Sequence, residues 1–283
     1  MQRLFSIIQL IRLHNCIIAG AGVWVGAYLA DVPHDNIYVY LTSLAAALAC
    51  GAGNAFNDFF DVESDRINHP HRPLPSGRIK LFHALVTAFI LGIFSLITAA
   101  LVNPIVLIII FLILILVLFY SLKLKKIILL GNLAVATAGA MPFVLGGLTS
   151  AKTSFFTLPG IWVPTAFALV FHFGRELVKD MADLKGDTDS RLRTLPALVS
   201  PSVFMAVVTA VFILLIIMTL IPLNYDWYGI FYTYIVILLV DTPLVLLIIY
   251  LWLSQRKKRF AESGSIFKLL MVAGLVAFIG GKI

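Results

Sequence analysis

Charge is what this chain has least of: Asp, Glu, Lys and Arg together make up 12% of its 283 residues, against 61% hydrophobic. A soluble globule carries about a quarter charged residues to solvate its surface, so a soluble fold is excluded. A mean hydropathy of +1.02 points to a multi-pass membrane protein. Cysteine is scarce as well. Cys16 and Cys50 lie in or beside apolar runs next to small residues, which excludes a disulfide framework and a thiolate metal site and leaves packing as their role. His69 and His71 have neither a nearby Cys nor a helical i,i+4 partner, which argues against zinc and favours a structural role in a loop. No low-complexity tract interrupts the chain, and residues 1–283 read as a single multi-pass domain.

What is present is apolar and divided into lengths of about 20 residues, the length that crosses a bilayer. Nine spans are predicted, at 14–31, 39–56, 82–101, 104–120, 127–148, 160–176, 197–220, 230–253 and 266–282. The first lacks a polar, small-residue cleavage region and reads as a retained span. Of the 21 Lys and Arg residues, all but Lys152 and Lys282 fall on the side of the membrane where the N-terminus lies. Basic loops face the cytoplasm, so the N-terminus and its loops are expected inside and the C-terminus outside. Loops of this kind beside anionic membrane lipid account for the net charge of +7 without nucleic acid, and they also suit an anionic substrate. The run Arg256, Lys257, Lys258, Arg259 reads as a topology anchor.

The few acids are not scattered. Of 14 Asp and Glu residues, four fall in 58–65 and five in 176–189. Asn54, Asp58, Asp61 and Asp65 stand at relative positions 0, 4, 7 and 11, and Glu176, Asp180, Asp183 and Asp187 repeat that spacing. At about 100° per residue each set lies within roughly 60° of one helix face. Carboxylates packed this way repel one another unless a cation intervenes, so two such stripes predict a divalent metal. Basic residues are interleaved: Arg66, Arg72 and Arg78 in the first window, Lys179, Lys185, Arg191 and Arg193 in the second. Acids and bases at one depth suit Mg2+ bridging to a polyanion, with Arg and Lys taking the remaining oxygens. Diphosphate on a lipid tail fits an intramembrane cavity. Both stripes leave a span on the cytoplasmic side with four spans between them, which predicts two similar four-helix halves around a central cavity, followed by a ninth helix.

The segment Asn57-Asp58-x-x-Asp61-x-x-x-Asp65, followed by Arg72-Pro73 and Pro75-Ser76-Gly77, resembles the first aspartate motif of UbiA-type intramembrane prenyltransferases. Lys179-Asp180-x-x-Asp183-x-x-x-Asp187, ending in Thr194-Leu195-Pro196, resembles the second. Tyr120-Ser121 with Lys123, Lys125 and Lys126, then Gly131-Asn132, is similar too, as is Arg12 with Asn15 entering the first span. Within that superfamily the run RELVKDMADLKGD is most similar to the branch attaching a geranylgeranyl chain to geranylgeranylglyceryl phosphate. Members of that branch often carry Glu where this chain has Ala182.

The resemblance implies an all-helical, nine-span membrane fold whose cavity opens to lipid. It also implies a Mg2+-dependent enzyme that binds a prenyl diphosphate donor and a lipid-like acceptor. Asn57, Asp58, Asp61, Asp65, Asp183 and Asp187 are then the metal ligands, and the five aspartates among them the catalytic acids. Asn15, Asn54, Arg66, Asn68, Arg72, Tyr120, Lys123, Lys125, Glu176, Lys179, Asp180 and Arg193 are the expected substrate-binding residues, with Lys123, Lys125 or Arg193 on an acceptor phosphate. An aromatic face such as Tyr120 or Phe56 would stabilise an allylic cation. Glu63 and Asp189, off the stripes, read as solvated. His172 reads as a buried hydrogen-bonding group, and Asp241, mid-span beside Pro243, as functional or as a partner at a helix kink. Two rivals stand beside this reading: an aromatic prenyltransferase of quinone, chlorophyll or haem synthesis, and a cation-coupled transporter, whose acids usually lie nearer the midplane.

Overall fold

The computed structural model describes residues 2–33, 35–150, 157–189, 194–253 and 257–282, and these are helical and loop residues throughout. The helices are α1 Gln2–Ile11, α2 Leu13–Leu29, α3 Ile37–Phe60, α4 Val62–Asn68, α5 Leu81–Ala100, α6 Pro104–Leu122, α7 Leu130–Gly147, α8 Trp162–Asp189, α9 Pro201–Asn224, α10 Ile230–Leu253 and α11 Lys257–Gly281. Local chemistry sets several starts. The Asn103 side chain accepts from Val106 N at 2.9 Å with Pro104 in the first turn of α6, and Ser200 and Pro201 open α9 in the same way.

Among the described residues, seven helices are long and apolar enough to cross a membrane, and the bent pair α1–α2 makes an eighth. Eight of the nine predicted spans therefore have such a helix. The sixth falls in α8, whose apolar run is interrupted by Arg175, Glu176 and Lys179. Large side chains on α5, α6, α9 and α10 face outward: Phe89, Ile108, Ile217 and Leu238 are all exposed, as expected of surfaces that lipid covers. Lys152, Arg191, Arg193 and Arg256 lie outside the described residues.

Between helices in lipid there is no hydrophobic drive, so close backbone approach has to supply the packing. α3 buries Ala45, Ala46, Ala49, Gly51, Ala52, Gly53 and Ala55, and packs on α2, α5 and α6. α2 lies between α3 and α7. There Gly26 and Gly146 bring the two backbones together: a Cβ on Gly146 would overlap the Val23 carbonyl and come within 2.5 Å of Ala27 N. The second half of the chain closes through an aromatic cluster in which Phe171, Phe212 and Phe267 join α8, α9 and α11.

The helix at residues 2–11 was not foreseen, and the kink expected near Asp241 takes a particular form. Residues 2–11 form a helix that buries Ser6 and Leu10, and it turns by 47° into α2 at Arg12, whose backbone is left-handed (φ 52°). A left-handed non-glycine costs about 1–2 kcal/mol, and here the Arg12 side chain holds it by pairing with Asp58 at 2.5 Å. In α10, residues Val236–Asp241 form a π-helical turn. Asp241 accepts from Thr219 Oγ1 at 3.1 and 3.2 Å, while the Tyr232 hydroxyl donates to the Thr219 carbonyl at 3.0 Å. Asp241 is thus the buried partner that joins α10 to α9 at the irregular turn.

Gly146→Val should force α2 and α7 apart. Overpacking of this kind costs about 1–3 kcal/mol, so a lower thermal midpoint in detergent is expected. An unchanged midpoint would show that the crossing tolerates a side chain.

Candidate active site

Both acid stripes take their shape from helix ends. In the second window the stripe is one unbroken face of α8. In the first, α3 ends at Phe60 and α4 begins at Val62, with Asp61 at the junction. The i→i−4 bonds nevertheless continue across the break, Asp61 N to Asn57 O at 2.9 Å and Asp65 N to Asp61 O at 2.8 Å. The helical phase is kept, and Asn57, Asp61 and Asp65 face one pocket.

α4 crosses α8 at that pocket. Asn68 Nδ2 donates to the Asp183 carbonyl at 2.7 Å, and Gly186 N donates to Asn68 Oδ1 at 3.1 Å. Gly186 is needed at the crossing, because a Cβ there would overlap the Asn68 amide and lie 2.8 Å from Ser64 O. The pocket, about 50 Å³, is walled by Asn57, Asp61, Ser64, Asp65, Asn68, Arg72, Tyr120, Lys125, Lys179, Asp180, Asp183, Asp187 and Thr194. Asn57, Tyr120 and Lys179 also wall a larger cavity of about 310 Å³. Its far walls are apolar, among them Ile110, Val117, Pro142, Phe143, Phe167 and Phe278. Arg12, Asn15, Asn54, Arg175 and Glu176 line its polar end.

Asp61, Asp65, Asp180, Asp183 and Glu176 each have a neighbouring cation or donor. Arg72 Nη1 meets both Asp65 oxygens at 2.7 and 2.8 Å, and Lys125 pairs with Asp61. His69 Nε2 lies 2.8 Å from Asp183, Lys179 stands 3.6 Å from the same carboxylate, and Asn132 donates to Asp180 at 2.7 Å. Glu176 is held by Arg175 at 2.6 Å. Asp187 forms no ion pair among the described residues. Burial pushes Asp187 up to about 6, against the pull of Lys179 and with Asp183 and Asp61 adding to the rise. Burial acts on Asp183 in the same sense, but the His69 hydrogen bond and the charge of Lys179 outweigh it and hold this carboxyl at about 2. Asp65 is raised by burial against the opposing charge of Arg72.

Among the described residues, no three His, Cys, Asp or Glu side chains converge into a ready-made metal cage. Mg2+ is usually held by one or two carboxylates, water and substrate phosphate, not by an all-protein cage, so the donor set still fits it. Two further atoms agree. Asn57 Oδ1 and Thr194 Oγ1 are buried without a hydrogen-bond partner among the described residues, and both residues wall the small pocket. An orphaned buried oxygen is costly, and a cation with its ligand would satisfy it.

The structure gathers Asn57, Asp61, Asp65, Asn68, Arg72, Tyr120, Lys125, Lys179, Asp180, Asp183 and Asp187 as expected. Asn15, Asn54 and Glu176 join the larger cavity. Others are placed differently. Asp58 is absent from the small pocket's wall, because it turns to Arg12 at 2.5 Å and lies 3.6 Å from Arg72. Arg66 pairs with Glu63 on an exposed face, and Lys123 is exposed outside both cavities. Arg193 is not among the described residues. His69, expected to serve loop structure alone, reaches across to Asp183, a link that crosses 114 positions of sequence. Arg12, Arg175 and Thr194 also enter the site. The family resemblance was the visible signal for two of them, through Arg12 with Asn15 entering the first span and Thr194 closing the second motif.

The profile of the UbiA prenyltransferase family matches residues 19–272. The chain is 32% identical over 274 residues to the digeranylgeranylglyceryl phosphate synthase of Methanosphaera stadtmanae, covering 96% of each protein. It superposes on a solved structure of a digeranylgeranylglyceryl phosphate synthase with a TM-score of 0.73 at 29% identity, covering 99% of both chains. A UbiA homolog from Archaeoglobus fulgidus bound to GPP and Mg2+ shares the fold, with a TM-score of 0.69 at 15% identity over 97% of this chain and 99% of that one.

A carboxyl near 6 competes for protons with any cation it binds. Asp187 carries a proton below about 6 and loses it above, so Mg2+ affinity should rise with pH through that value and fall about tenfold per pH unit below it. Titrating Mg2+ against the donor-loaded protein between pH 5 and 8 checks this. Asp187→Asn should weaken binding and flatten the profile, and a profile unchanged in Asp187→Asn would remove Asp187 from the cation site.

Proposed function

This chain belongs to the UbiA prenyltransferase family, and from that premise we propose that it transfers a geranylgeranyl group from its diphosphate to the hydroxyl of geranylgeranylglyceryl phosphate. The product is an ether lipid and diphosphate is released. One observation carries the reading. A small pocket of carboxylates and cations shares a wall with a large apolar cavity, the shape needed by a donor with a polyanionic head and a hydrocarbon tail. Relatives of near-equal length that are about a third identical carry the activity by name.

Asn57, Asp61, Asp65, Asp183 and Asp187 are the residues proposed to hold Mg2+, whose charge, when bound, makes diphosphate a better leaving group. Asp58 acts one layer out, fixing Arg12. Lys125, Arg72 and Lys179 wall the same pocket and would take phosphate oxygens. As the allylic carbon–oxygen bond breaks, positive charge develops where the pocket meets the apolar cavity. Tyr120 stands at that boundary and offers a ring face to the charge. The apolar walls exclude water that would otherwise capture the cation. The acceptor hydroxyl forms the new carbon–oxygen bond, and its proton passes to a carboxylate of the pocket or to departing diphosphate.

The membrane placement belongs to the same proposal. The chain is one domain of nine crossings in two four-helix halves plus α11, and α8, sixth in chain order, also crosses. Its charges line the cavity at Arg175, Glu176 and Lys179, where ionisable groups in a membrane are tolerated. The basic loops put the pocket and the N-terminus at the cytoplasmic face and the C-terminus outside.

Purified protein in vesicles, given geranylgeranyl diphosphate and geranylgeranylglyceryl phosphate, should yield the diether product by mass, and a chelator should stop it. Asp61→Ala and Asp183→Ala should each lower turnover by about a hundredfold or more, with Glu63→Ala near neutral. Prenylation of 4-hydroxybenzoate with none of the glyceryl phosphate would overturn the acceptor assignment and leave the donor chemistry standing.

A further inference from the structure

The end of the large cavity far from the carboxylates is built of aromatic rings. Phe278 of α11 is the hub. Its ring lies 5.8 Å from Phe167 of α8, 5.8 Å from Tyr232 of α10 and 6.4 Å from Phe143 of α7, and all four residues line the cavity. Four residues beyond Phe278, Lys282 pairs with Asp31 past the end of α2 opposite Arg12, which places the cluster at the far end. The rings are also held from behind. The Tyr232 hydroxyl donates to the Thr219 carbonyl at 3.0 Å, and Thr219 Oγ1 donates to Asp241 in the π-helical turn. Tyr232 is fully buried and Phe278 is 5% exposed, so the cluster forms a packed floor.

The depth above that floor can be counted along α8. Lys179 stands in the wall shared with the small pocket, and Phe167, in the floor, lies twelve residues earlier on the same helix. At 1.5 Å per residue this is about 18 Å. Each isoprenoid unit adds four carbon–carbon bonds of about 1.5 Å, which is about 5 Å along an extended chain. Four units, about 20 Å when straight, fit this depth with a modest bend. Three units leave an apolar void over the floor, which forfeits contacts. Five units overrun a floor that the Thr219 and Asp241 bonds keep from yielding.

One turn before Phe278, Gly274 also lines the cavity, and a Cβ built on it would meet no atom within 4 Å. Other glycines of the lining are held by close contact. A Cβ on Gly139 would overlap the His172 ring at 2.6 Å, and one on Gly22 would lie 3.0 Å from Pro142. Packing accounts for those two and not for Gly274, which faces open space. Resting on the donor reading above, we propose that the aromatic floor around Phe278 and the open space at Gly274 set the donor's chain at four isoprenoid units. Gly274 leaves room for the last unit, and Phe278 stops a fifth. One helix turn rises about 5.4 Å, close to one unit, so a side chain at position 274 raises the floor by one unit.

The test uses full-length protein in phosphatidylcholine vesicles with Mg2+ and reads displacement of labelled geranylgeranyl diphosphate, so no acceptor is needed. The competitors are the farnesyl, geranylgeranyl and geranylfarnesyl diphosphates, of three, four and five units. Wild type should bind the four-unit donor about tenfold or more tighter than the five-unit donor. Gly274→Leu should weaken the four-unit donor about tenfold or more and keep the three-unit donor within about threefold of wild type, which also reports an intact fold. Phe278→Ala should bring the five-unit donor within about threefold of the four-unit donor; should that variant fail to fold, Gly274→Leu decides. If wild type binds four and five units alike, or Gly274→Leu weakens every donor alike, the floor does not set the length, and the proposed reaction stands without it. If the length order holds but geranylgeranylglyceryl phosphate gives no product, the acceptor assignment fails and this inference stands. If no prenyl diphosphate binds, the donor reading fails and the role of the floor falls with it.

Discussion

Five carboxylates meeting in a pocket of about 50 Å³ form an arrangement that like-charge repulsion opposes at every step. Unneutralised like charges repel more strongly in a buried, low-dielectric pocket than in water. The surrounding architecture answers that repulsion. Arg72 is brought back to Asp65 by the turn after α4, Lys125 to Asp61 by the turn between α6 and α7, and His69 to Asp183 across the α4–α8 crossing. Asp187 has no such partner among the described residues, and burial raises its proton affinity to about 6. The cations that neutralise the pocket are the same groups a diphosphate would draw away, so the arrangement is poised for an anion that arrives with its own metal.

The second constraint is that one substrate must be polar at one end and hydrocarbon at the other. Asn57, Tyr120 and Lys179 stand in the wall common to the polar pocket and the apolar cavity. In the proposed reaction the bond to be broken lies at that boundary, with charge stabilisation on one side and water exclusion on the other. α8 serves both sides, because its apolar first half lines the cavity and its last turns carry the stripe. This dual duty is why α8 is the helix that fails a test for apolar length while standing among the helices that pass it.

Much of this was legible in the chain. Runs of about 20 apolar residues gave the helices, and eight of the nine expected spans have a helix of the required length and apolarity once the α1–α2 pair is counted. The 0-4-7-11 spacing placed the acids on common faces, and α8 keeps that face unbroken. In the first window the helix breaks at Asp61, yet the continuing hydrogen bonds preserve the phase, so the reading survives for a reason that spacing alone does not contain. Asp58 shows the limit. Its position on the stripe is right, but a helix face is wide, and Arg12 draws this carboxylate to one side.

By itself the sequence determined the elements and their polarity: which runs are apolar, which faces carry acid, which loops are basic. These depend on neighbours within a few turns of chain, and helical geometry is local. Partnership was decided only in three dimensions. His69 with Asp183, Arg12 with Asp58, and Lys125 with Asp61 join residues tens to more than a hundred positions apart. The backbone angle at Arg12, the small residues at the α2–α7 crossing and the contact at Gly186 set those meetings. A pair's energy depends on distance and burial, and neither is a property of the sequence until the helices have packed.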